Sequence, residues 1–505
     1  MRKRPLTGLL ATGLLSAGLL AGCMATPQTD PTASAGTAAG SAARLRLALN
    51  FAPKADLSPY TDDAVSLTRM GVTESLISID PAGLPQPALA ERFEQVDEFT
   101  AKFTLRAGVK FHDGTAVDAK TVAESLNHAL KATPAPATVS GRELTITAEG
   151  DNVVIAKSAK ADPLLVMRFA NPDMAILAPK AYTKDPNKPA VVDAATGPFE
   201  LVSHDGKSEA KLDANPDYWG GKPKLAGVDT KFISKADSRV SSLRAGELDV
   251  VQNVPIAQLA NLKGFEIDAR PIPRTTGISL NTKSGPLTDA GLRAAVAKAI
   301  DASVITKSAF EGQGDVAKGV FRPESVGGSS QAASLPEAKD PAGTTLTLAT
   351  WDDRPELPEA LTIIADQLRK AGFTVETPVV KNYSVLEPDL MAGKFDLVLG
   401  SRMYMSKAND PLSLLQSDFT CKGGYNLSSL CDPAIDAAIE AATPIADVTK
   451  RRQAAAQIEI QVLSTGAYIP VLHEQVRIGR TKQVSGLAAD PLEWKMVTHE
   501  TTLGK

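Results

Sequence analysis

Residues 344–402 indicate the fold of this chain most clearly, and they read TTLTLATWDDRPELPEALTIIADQLRKAGFTVETPVVKNYSVLEPDLMAGKFDLVLGSR. Three strand-like segments alternate with two segments of helical periodicity, and each predicted helix ends at a glycine. The strands are expected at 344–350, 373–380 and 395–400, and the helices at 357–371 and 383–392. This order predicts a parallel sheet covered by helices, because parallel neighbours need a crossover connection.

Two loops of this unit are candidates for a ligand cleft. Residues 351–354 (WDDR) follow the first strand, and residues 401–404 (SRMY) follow the last. Ligands of such sheets bind beyond the carboxyl ends of the strands. Further strands are expected at 45–51, 100–105, 144–148, 153–156, 199–202 and 277–281, and helices after Asp118, Lys235 and Asp289. The sequence therefore predicts an α/β protein, and its length predicts more than one lobe.

The first residues are typical of a secretory signal. Three basic residues precede an apolar stretch at 9–20, which is too short to span a bilayer of about 30 Å. The stretch ends at 20–23 (LAGC), which resembles a bacterial lipobox, where the cysteine is acylated and the chain is cut before it. We therefore expect residues 1–22 to be a lipoprotein signal peptide, Cys23 to carry the lipid, and residues 23–44 to form a flexible tether. An ordinary signal peptide is the alternative.

The charge balance argues against a nucleic-acid partner. The chain has 54 basic and 58 acidic residues. Residues 1–22 hold three basic and no acidic residues, so their removal leaves 51 basic residues and a net charge of −7. A nucleic-acid-binding surface would need a basic stripe, which is not found.

Two of the three cysteines, Cys421 and Cys431, flank a Gly-, Asn- and Ser-rich stretch. In an oxidising compartment this pattern predicts a disulfide bond, with two free thiols as the alternative. A zinc site would need two further ligands, which nothing nearby in the sequence supplies.

Catalytic motifs are weak in this sequence. No Gly-x-Ser-x-Gly turn or glycine-rich phosphate loop is found, and the five histidines are scattered. His112-Asp113-Gly114 is foremost a turn signal, and His473-Glu474 has arginine at 477 where a zinc-protease motif needs histidine. We therefore expect no enzymatic activity, no metal site and no cofactor.

Several separate blocks resemble the solute-binding proteins of the peptide/nickel class of ABC importers, solute-binding family five. The blocks stand in the order found in that family and cover nearly all of the chain after the tether. They are 87–93 (PALAERF), 103–114 (FTLRAGVKFHDG), 196–199 (TGPF), 215–223 (NPDYWGGKP), 243–249 (LRAGELD), 280–282 with 289–301, 432–436 (DPAID) and 468–471 (YIPV).

The resemblance implies a periplasmic-binding-protein-like clamshell of class II, with an extra domain inserted in its first lobe. The boundaries it implies are 45–65, 194–275 and 481–505 for lobe I, 66–193 for the extra domain, and 276–480 for lobe II. It also implies a monomeric, lipid-anchored protein on the extracytoplasmic face of the cell membrane, which captures an oligopeptide or peptide-like solute for an ABC permease. Binding of a nickel or other metal chelate is the alternative, and a secreted hydrolase or a sensor lipoprotein is less expected.

The loop after the strand at 395–400 bears on the ligand. Relatives that bind a free peptide amino terminus carry a Trp-x-x-Asp-Tyr-x-Asp-Pro-like loop there, whereas residues 404–411 read YMSKANDP. Lys407 stands where an acid would hold the ammonium group, so Lys407 and Arg402 are expected to attract a carboxylate. In the alternative interpretation these two are solvated, and Asp173 or Asp410 meets an ammonium group. The candidate ligand contacts are Met70, Asp173, Trp351, Arg402, Tyr404, Lys407, Asn409 and Asp410.

The lipobox yields the first testable prediction. Cys23→Ala should release the protein from the membrane fraction of a bacterial host without lowering its melting temperature, because the tether lies outside the predicted fold. Fractionation and thermal unfolding of the two proteins measure this. Membrane retention at the wild-type level would contradict the lipid anchor.

Overall fold

The computed structural model describes residues 43–81, 83–328, 333–352, 354–405 and 410–504. The predicted lipidation site Cys23 and the predicted ligand residues Lys407 and Asn409 lie outside the described residues. Within those residues, no helix combines the length and the apolarity needed to cross a membrane.

The secondary structure mixes strands and helices along the whole described chain. Strands β1 to β21 are, in order, Arg44–Leu49, Ile77–Ile79, Pro85–Pro87, Ala90–Asp97, Thr100–Leu105, Leu144–Glu149, Val153–Ser158, Phe199–His204, Glu209–Ala214, Gly227–Phe232, Val250–Val251, Glu266–Leu280, Asp315–Val316, Thr345–Leu346, Leu348–Trp351, Thr374–Val375, Val379–Lys381, Leu397–Met403, Tyr468–Arg480, Val484–Ser485 and Thr502–Leu503. Helices α1 to α11 are Asp63–Arg69, Ala119–Lys131, Leu165–Arg168, Ala236–Arg244, Ala290–Ala299, Ala302–Ala309, Glu356–Lys370, Tyr383–Met391, Pro411–Asp418, Pro433–Ala442 and Val448–Ser464. Short 3₁₀ helices occur at Pro172–Met174, Pro179–Tyr182, Ile256–Leu262, Pro286–Thr288 and Pro323–Val326.

The strand–helix–strand–helix–strand unit predicted over 344–402 is present. Strand β15 pairs in parallel with both β17 and β18, and helices α7 and α8 form the crossovers. The first predicted strand is divided, however, into β14 and β15. The division falls at Thr347, whose backbone N–H and hydroxyl both donate to the Asp396 carboxylate, at 2.8 and 2.7 Å.

A single large sheet connects two halves of the protein. Its order is β17-β15-β18-β12-β19-β11-β1-β10-β9-β8, with β13 also paired to β19. Strand β12 pairs with β18 on one side and with β19 on the other, and β19 reaches β11 through its last two residues. The two long strands β12 and β19, which we call the hinge pair, therefore carry the backbone link between the halves.

The two halves have separate apolar cores. One core includes side chains of β1 and β10 together with Phe103 and Val154 of a four-stranded antiparallel sheet, β4-β5-β7-β6. The other half buries side chains such as Leu348 and Leu361 in one cluster and Val462 in a second. The small antiparallel sheet lies in the predicted extra domain and shares the core of the predicted first lobe. The residue boundaries of the lobes stay a prediction.

A buried carboxylate explains two of the sequence blocks. Glu74 accepts hydrogen bonds from the Thr196 hydroxyl at 2.9 Å, the Tyr218 hydroxyl at 2.8 Å and the Trp219 indole at 3.0 Å. Burial raises the pKa of Glu74, and the three donors oppose that rise. Gly197 is required beside this site, because a Cβ there would collide with the carbonyl oxygens of residues 71 and 72. Blocks 196–199 and 215–223, which belong to the predicted first lobe, thus bind the predicted extra domain through Glu74.

Glu74→Ala should lower the free energy of unfolding by about 2–3 kcal/mol, because three donors lose a charged acceptor. Denaturant unfolding measures the change. Glu91→Ala is the matched control, since the Glu91 side chain is well exposed beside Arg92 and should contribute at most about 0.5 kcal/mol. Equal effects of the two substitutions would contradict the role given to Glu74.

Candidate ligand-binding site

A cavity of about 370 Å³ lies where the hinge pair meets segments from distant parts of the chain. Its walls come from the turn after β2 (Pro81 and Gly83), residues 270–273 of β12, residues within 322–325, Met405, and residues within 489–492. Most of this lining is apolar, as in ligand pockets generally, and the volume falls in their range of roughly 300–1,000 Å³. Across the cavity mouth the Gly83 carbonyl accepts a hydrogen bond from Arg452 of α11 at 2.6 Å.

Arg322, Glu324 and Ser325 form one wall of the cavity. Together with the residues directly before them they make up residues 317–325, called the wall segment here. Thr275 of the hinge pair donates its hydroxyl to the Val320 carbonyl at 2.7 Å. The Arg322 guanidinium pairs with Asp315 at 2.7 Å and also bonds the backbone carbonyls of residues 473 and 474, at 3.1 and 3.0 Å. The wall segment is therefore tied directly to both hinge strands.

Tyr404 supports this wall from behind. Its hydroxyl accepts from the Arg322 backbone N–H at 3.0 Å and lies 3.1 Å from the Ser325 hydroxyl oxygen. The side chain is almost fully buried and packs edge-to-face on Phe321. Tyr404 thus faces the protein interior, and its contact with a ligand stays a prediction.

Glu474 of β19 lies at the centre of a polar cluster on the hinge pair. Its carboxylate accepts from Arg354 at 2.7 Å, from the Thr276 hydroxyl at 2.7 Å and from the Ser401 hydroxyl at 2.6 Å. Burial alone would raise the pKa of Glu474, but Arg354 and Arg274 outweigh it and lower the pKa to about 2. The group therefore carries its negative charge throughout the physiological range.

The cluster around Glu474 contains more arginines than carboxylates that are bound to them. Arg274, Arg354 and Arg477, called the hinge arginines here, all lie within electrostatic range of Glu474. Among the described residues, Arg274 and Arg477 form no ion pair, and the buried Nε of Arg477 has no hydrogen-bond partner. Glu311 and Glu356 act on Arg477 only through space. Two of the three hinge arginines therefore have no carboxylate bound to them, and none of the three is among the described residues that line the cavity.

Arg402 does not offer its guanidinium to the cavity. Its Nε and Nη2 bind the two oxygens of Asp418 at 2.8 and 2.9 Å, and its guanidinium carbon lies 3.9 Å from the Tyr425 ring centre. In this structure its guanidinium is engaged by Asp418, and the contact of Arg402 with a ligand carboxylate stays a prediction. Together with Trp351, Arg402 lines a separate small void, next to Gly400, where a Cβ would lie 2.6 Å from the Trp351 ring.

Three more predicted contacts are buried. Met70 lies in the core at the end of α1, and Asp173 accepts from the Thr138 backbone N–H at 3.1 Å. Asp410 caps α9 and pairs with Arg451 at 2.8 Å. All three side chains make structural contacts in the interior, and their contact with a ligand stays a prediction. Of the predicted loop 404–411, the described residue that lines the cavity is Met405.

The histidines singled out in the sequence have structural contacts. His112 Nε2 lies 2.9 Å from the Gly197 carbonyl oxygen, and burial lowers the His112 pKa. His473 Nδ1 lies 2.9 Å from the Thr275 hydroxyl, and burial together with Arg322 lowers the His473 pKa to about 4. Within the described part of the chain, no three His, Cys, Asp or Glu side chains are grouped so that they could hold a metal ion.

Comparison with known protein families decides the class of this site. Residues 85–426 match the model of the bacterial extracellular solute-binding proteins, family 5, middle region. This chain belongs to that family. The two-lobed α/β fold predicted from the sequence is confirmed by a solved structure, the nickel ABC transporter from Bacillus halodurans, with a TM-score of 0.80, 22% identity, and coverage of 91% of this chain and 100% of that one.

Two curated relatives differ in the ligand for which they are named. The probable D,D-dipeptide-binding periplasmic protein DdpA of Escherichia coli K12 is 26% identical over 416 residues, which cover 77% of this chain and 79% of that protein. The nickel-binding protein NikA of Staphylococcus aureus is 26% identical over 337 residues, covering 63% and 66%.

The Cys421–Cys431 disulfide, which is present in the structure, closes the loop that carries Tyr425 onto Arg402. Cys431→Ser should lower the free energy of unfolding by about 2–3 kcal/mol, because the unfolded chain regains the freedom of that loop. Denaturant unfolding measures this, and Cys421→Ser should give the same loss. Two titratable thiols in the denatured, unreduced wild-type protein would contradict the bond.

Proposed function

We propose that this protein captures a small peptide-like solute bearing an exposed carboxylate and delivers it to the permease of an ABC importer. The family membership supports solute binding, and the lipobox at Cys23 supports a lipid anchor on the extracytoplasmic face. The bound solute occupies the cavity at the hinge pair. Closure of the two lobes around it by hinge rotation is the motion that such a two-lobed architecture allows.

The observation that carries this proposal is the excess of hinge arginines. Arg274 and Arg477 come from the two strands of the hinge pair, and Arg354 comes from the loop after β15. Guanidinium groups bind carboxylates through paired, charge-assisted hydrogen bonds. One ligand carboxylate would supply the anion that these groups lack, and it would do so at the point about which the lobes rotate.

The apolar cavity favours a peptide-like body over a compact metal chelate. Pro271, Ile272, Pro273 and Leu492 present hydrocarbon surface, which side chains of a short peptide can cover. The second candidate is a metal chelate, favoured by the nickel-binding relative. A chelator also carries carboxylates, so the hinge arginines serve either ligand.

Lys407 makes a separate contribution to selectivity. It lies two residues after Met405, which lines the cavity, and it takes the place of an acid in the sequence pattern of amino-terminus-binding relatives. A ligand ammonium group beside a lysine leaves two like charges together, which disfavours a free amino terminus. We therefore propose that peptides with a blocked or modified amino end bind better than free peptides.

Arg274→Met should weaken binding of N-acetyl-trialanine about tenfold or more, because the ligand carboxylate loses a cation. N-acetyl-trialanine amide, which lacks the carboxylate, should bind weakly to wild type and variant alike. Titration calorimetry measures both, and a nickel–histidine complex tests the chelate alternative. Arg480→Met is the matched control, because Arg480 lies on β19 of the hinge pair, is not among the described cavity-lining residues and donates to the Val484 carbonyl at 2.6 Å.

Two results would contradict this assignment. Equal binding of N-acetyl-trialanine and its amide would show that the ligand carboxylate does not contribute to recognition. If the wild type prefers free trialanine and Lys407→Asp does not change that preference, Lys407 has no role in ligand selectivity. At a hundredfold excess over Kd, a true ligand should stabilise the protein by about 2.7 kcal/mol, which thermal shift detects independently.

A further inference from the structure

Glu459 of helix α11 is a buried carboxyl group directly behind the wall segment. Its side chain has no exposed surface, and its Oε1 accepts from the Phe321 backbone N–H at 2.9 Å. Its second oxygen, Oε2, has no hydrogen-bond partner among the described residues. Gly319 lets the backbone approach this closely, because a Cβ there would collide with the carboxyl oxygen. The wall segment is therefore laid directly against an ionisable group.

The charged groups around Glu459 leave it without a counter-ion. From the wall segment and the residues before it come Asp315, Lys318 and Arg322, but Lys318 is exposed and Arg322 is engaged by Asp315. Tyr404, directly after β18, and Tyr468 of β19 are the titratable groups on which Glu459 acts from those elements. On α11 itself, Arg451 is paired with Asp410, and Arg452 binds the Gly83 carbonyl. Within the described residues no cation forms an ion pair with Glu459.

This environment brings the pKa of Glu459 close to neutral pH. Burial raises the pKa of Glu459 to about 7, and the backbone amides of Phe321 and Val320 oppose that rise only in part. The free energy of burying a carboxylate without a cation is several kcal/mol, whereas the protonated acid carries no such penalty.

We propose that Glu459 makes the wall of the ligand cavity proton-sensitive, so that the wall segment packs closely when the carboxyl is protonated and loosens when it ionises. The wall is the part that yields, because it is a short segment whose Lys318 and Glu324 already face solvent, whereas α11 is a long, packed helix. Water admitted by a loosened wall would solvate the carboxylate. Only the consequence for ligand binding rests on the proposed function.

The direction with pH follows from the raised pKa. A carboxyl whose pKa is higher in the folded protein than its ordinary value of 4.5 binds its proton more tightly when folded. Its stabilising contribution is complete below about pH 4.5, falls as the pH rises to about 7, and is absent above that. Packing of the wall segment should weaken over the same interval.

Hydrogen exchange of the purified wild-type protein at pH 6 and pH 8 tests the proposal without any ligand. After correction for the intrinsic rate, with peptides from β1 and β10 as the internal reference, protection of residues 317–325 should fall about threefold or more at pH 8. Glu459→Gln keeps the shape but cannot ionise, so its protection should be the same at both pH values. Glu440→Gln, which changes an exposed carboxyl on helix α10, should behave as wild type. Glu459→Met serves as a second non-ionising variant.

The same pH dependence in wild type and in Glu459→Gln or Glu459→Met would overturn the proposal. A ligand arm uses N-acetyl-trialanine, which has no group that titrates between pH 6 and 8. Its affinity should fall about threefold or more at pH 8 in wild type and stay constant in Glu459→Gln. If the wall loosens with pH but this probe binds at neither pH, the ligand assignment fails and the proton-sensitive wall stands.

Discussion

The pairing of β12 with β19 is the constraint on which the rest of this structure depends. These strands are the backbone link between two separately packed halves, and the candidate cavity lies against them. The ladder shifts register between Pro271 and Thr275. Proline has no N–H to donate, so Pro271 and Pro273 interrupt the ladder at the place where the cavity forms. The same two rings supply apolar surface, so one local departure from regular pairing both weakens the sheet and builds the pocket.

Carboxylates join segments that are far apart in the sequence. Glu74 gathers three donors from residues 196–219, and Glu474 gathers Thr276, Arg354 and Ser401. A carboxylate accepts several hydrogen bonds at once, and leaving any of them unmade inside the protein costs free energy, so each cluster favours one arrangement of its segments. Glu459 differs, because its Oε1 is bound by backbone amides of the wall segment and its Oε2 has no hydrogen-bond partner among the described residues. That difference separates Glu459, whose pKa burial raises to about 7, from Glu474, whose pKa is lowered to about 2.

Local sequence patterns predicted many helices and strands well. Features that depend on contacts between residues far apart in the sequence were not predicted. The periodicity of 344–402 predicted β15, β18, α7 and α8, because burial on one face sets the spacing of apolar residues. Strand β12 was foreseen only over 277–281 but spans Glu266–Leu280, since Pro271, Pro273 and the charged residues near them hide the strand pattern. The break at Thr347 depends on Asp396, which no local rule relates to it.

The sequence indicated the loops near the candidate site better than it indicated the contacts of individual residues. The loops 351–354 and 401–404 were chosen for a cleft, and Arg354 and Ser401 from those loops both bind Glu474. Arg402 was selected as a ligand contact, because nothing in the sequence showed that it is paired. Its partner Asp418 lies sixteen residues further along the chain, and only the fold brings the two together. Arg354 binds Glu474 from 120 residues away, so the sequence could indicate the loop but not its partner.

The position of the hinge arginines links ligand charge to lobe closure under the proposed function. Arg274 and Arg477 lie on the strands about which the lobes rotate, and Arg354 lies on a loop of the predicted second lobe. Under that proposal, closure without a ligand would bring like charges closer together around one carboxylate, Glu474, which already accepts three hydrogen bonds. A ligand carboxylate adds the missing negative charge, so it binds the closed arrangement more tightly than the open one and shifts the population toward it. An uncharged solute of the same shape would fill the cavity without that difference in affinity, and it would leave the lobes where they were.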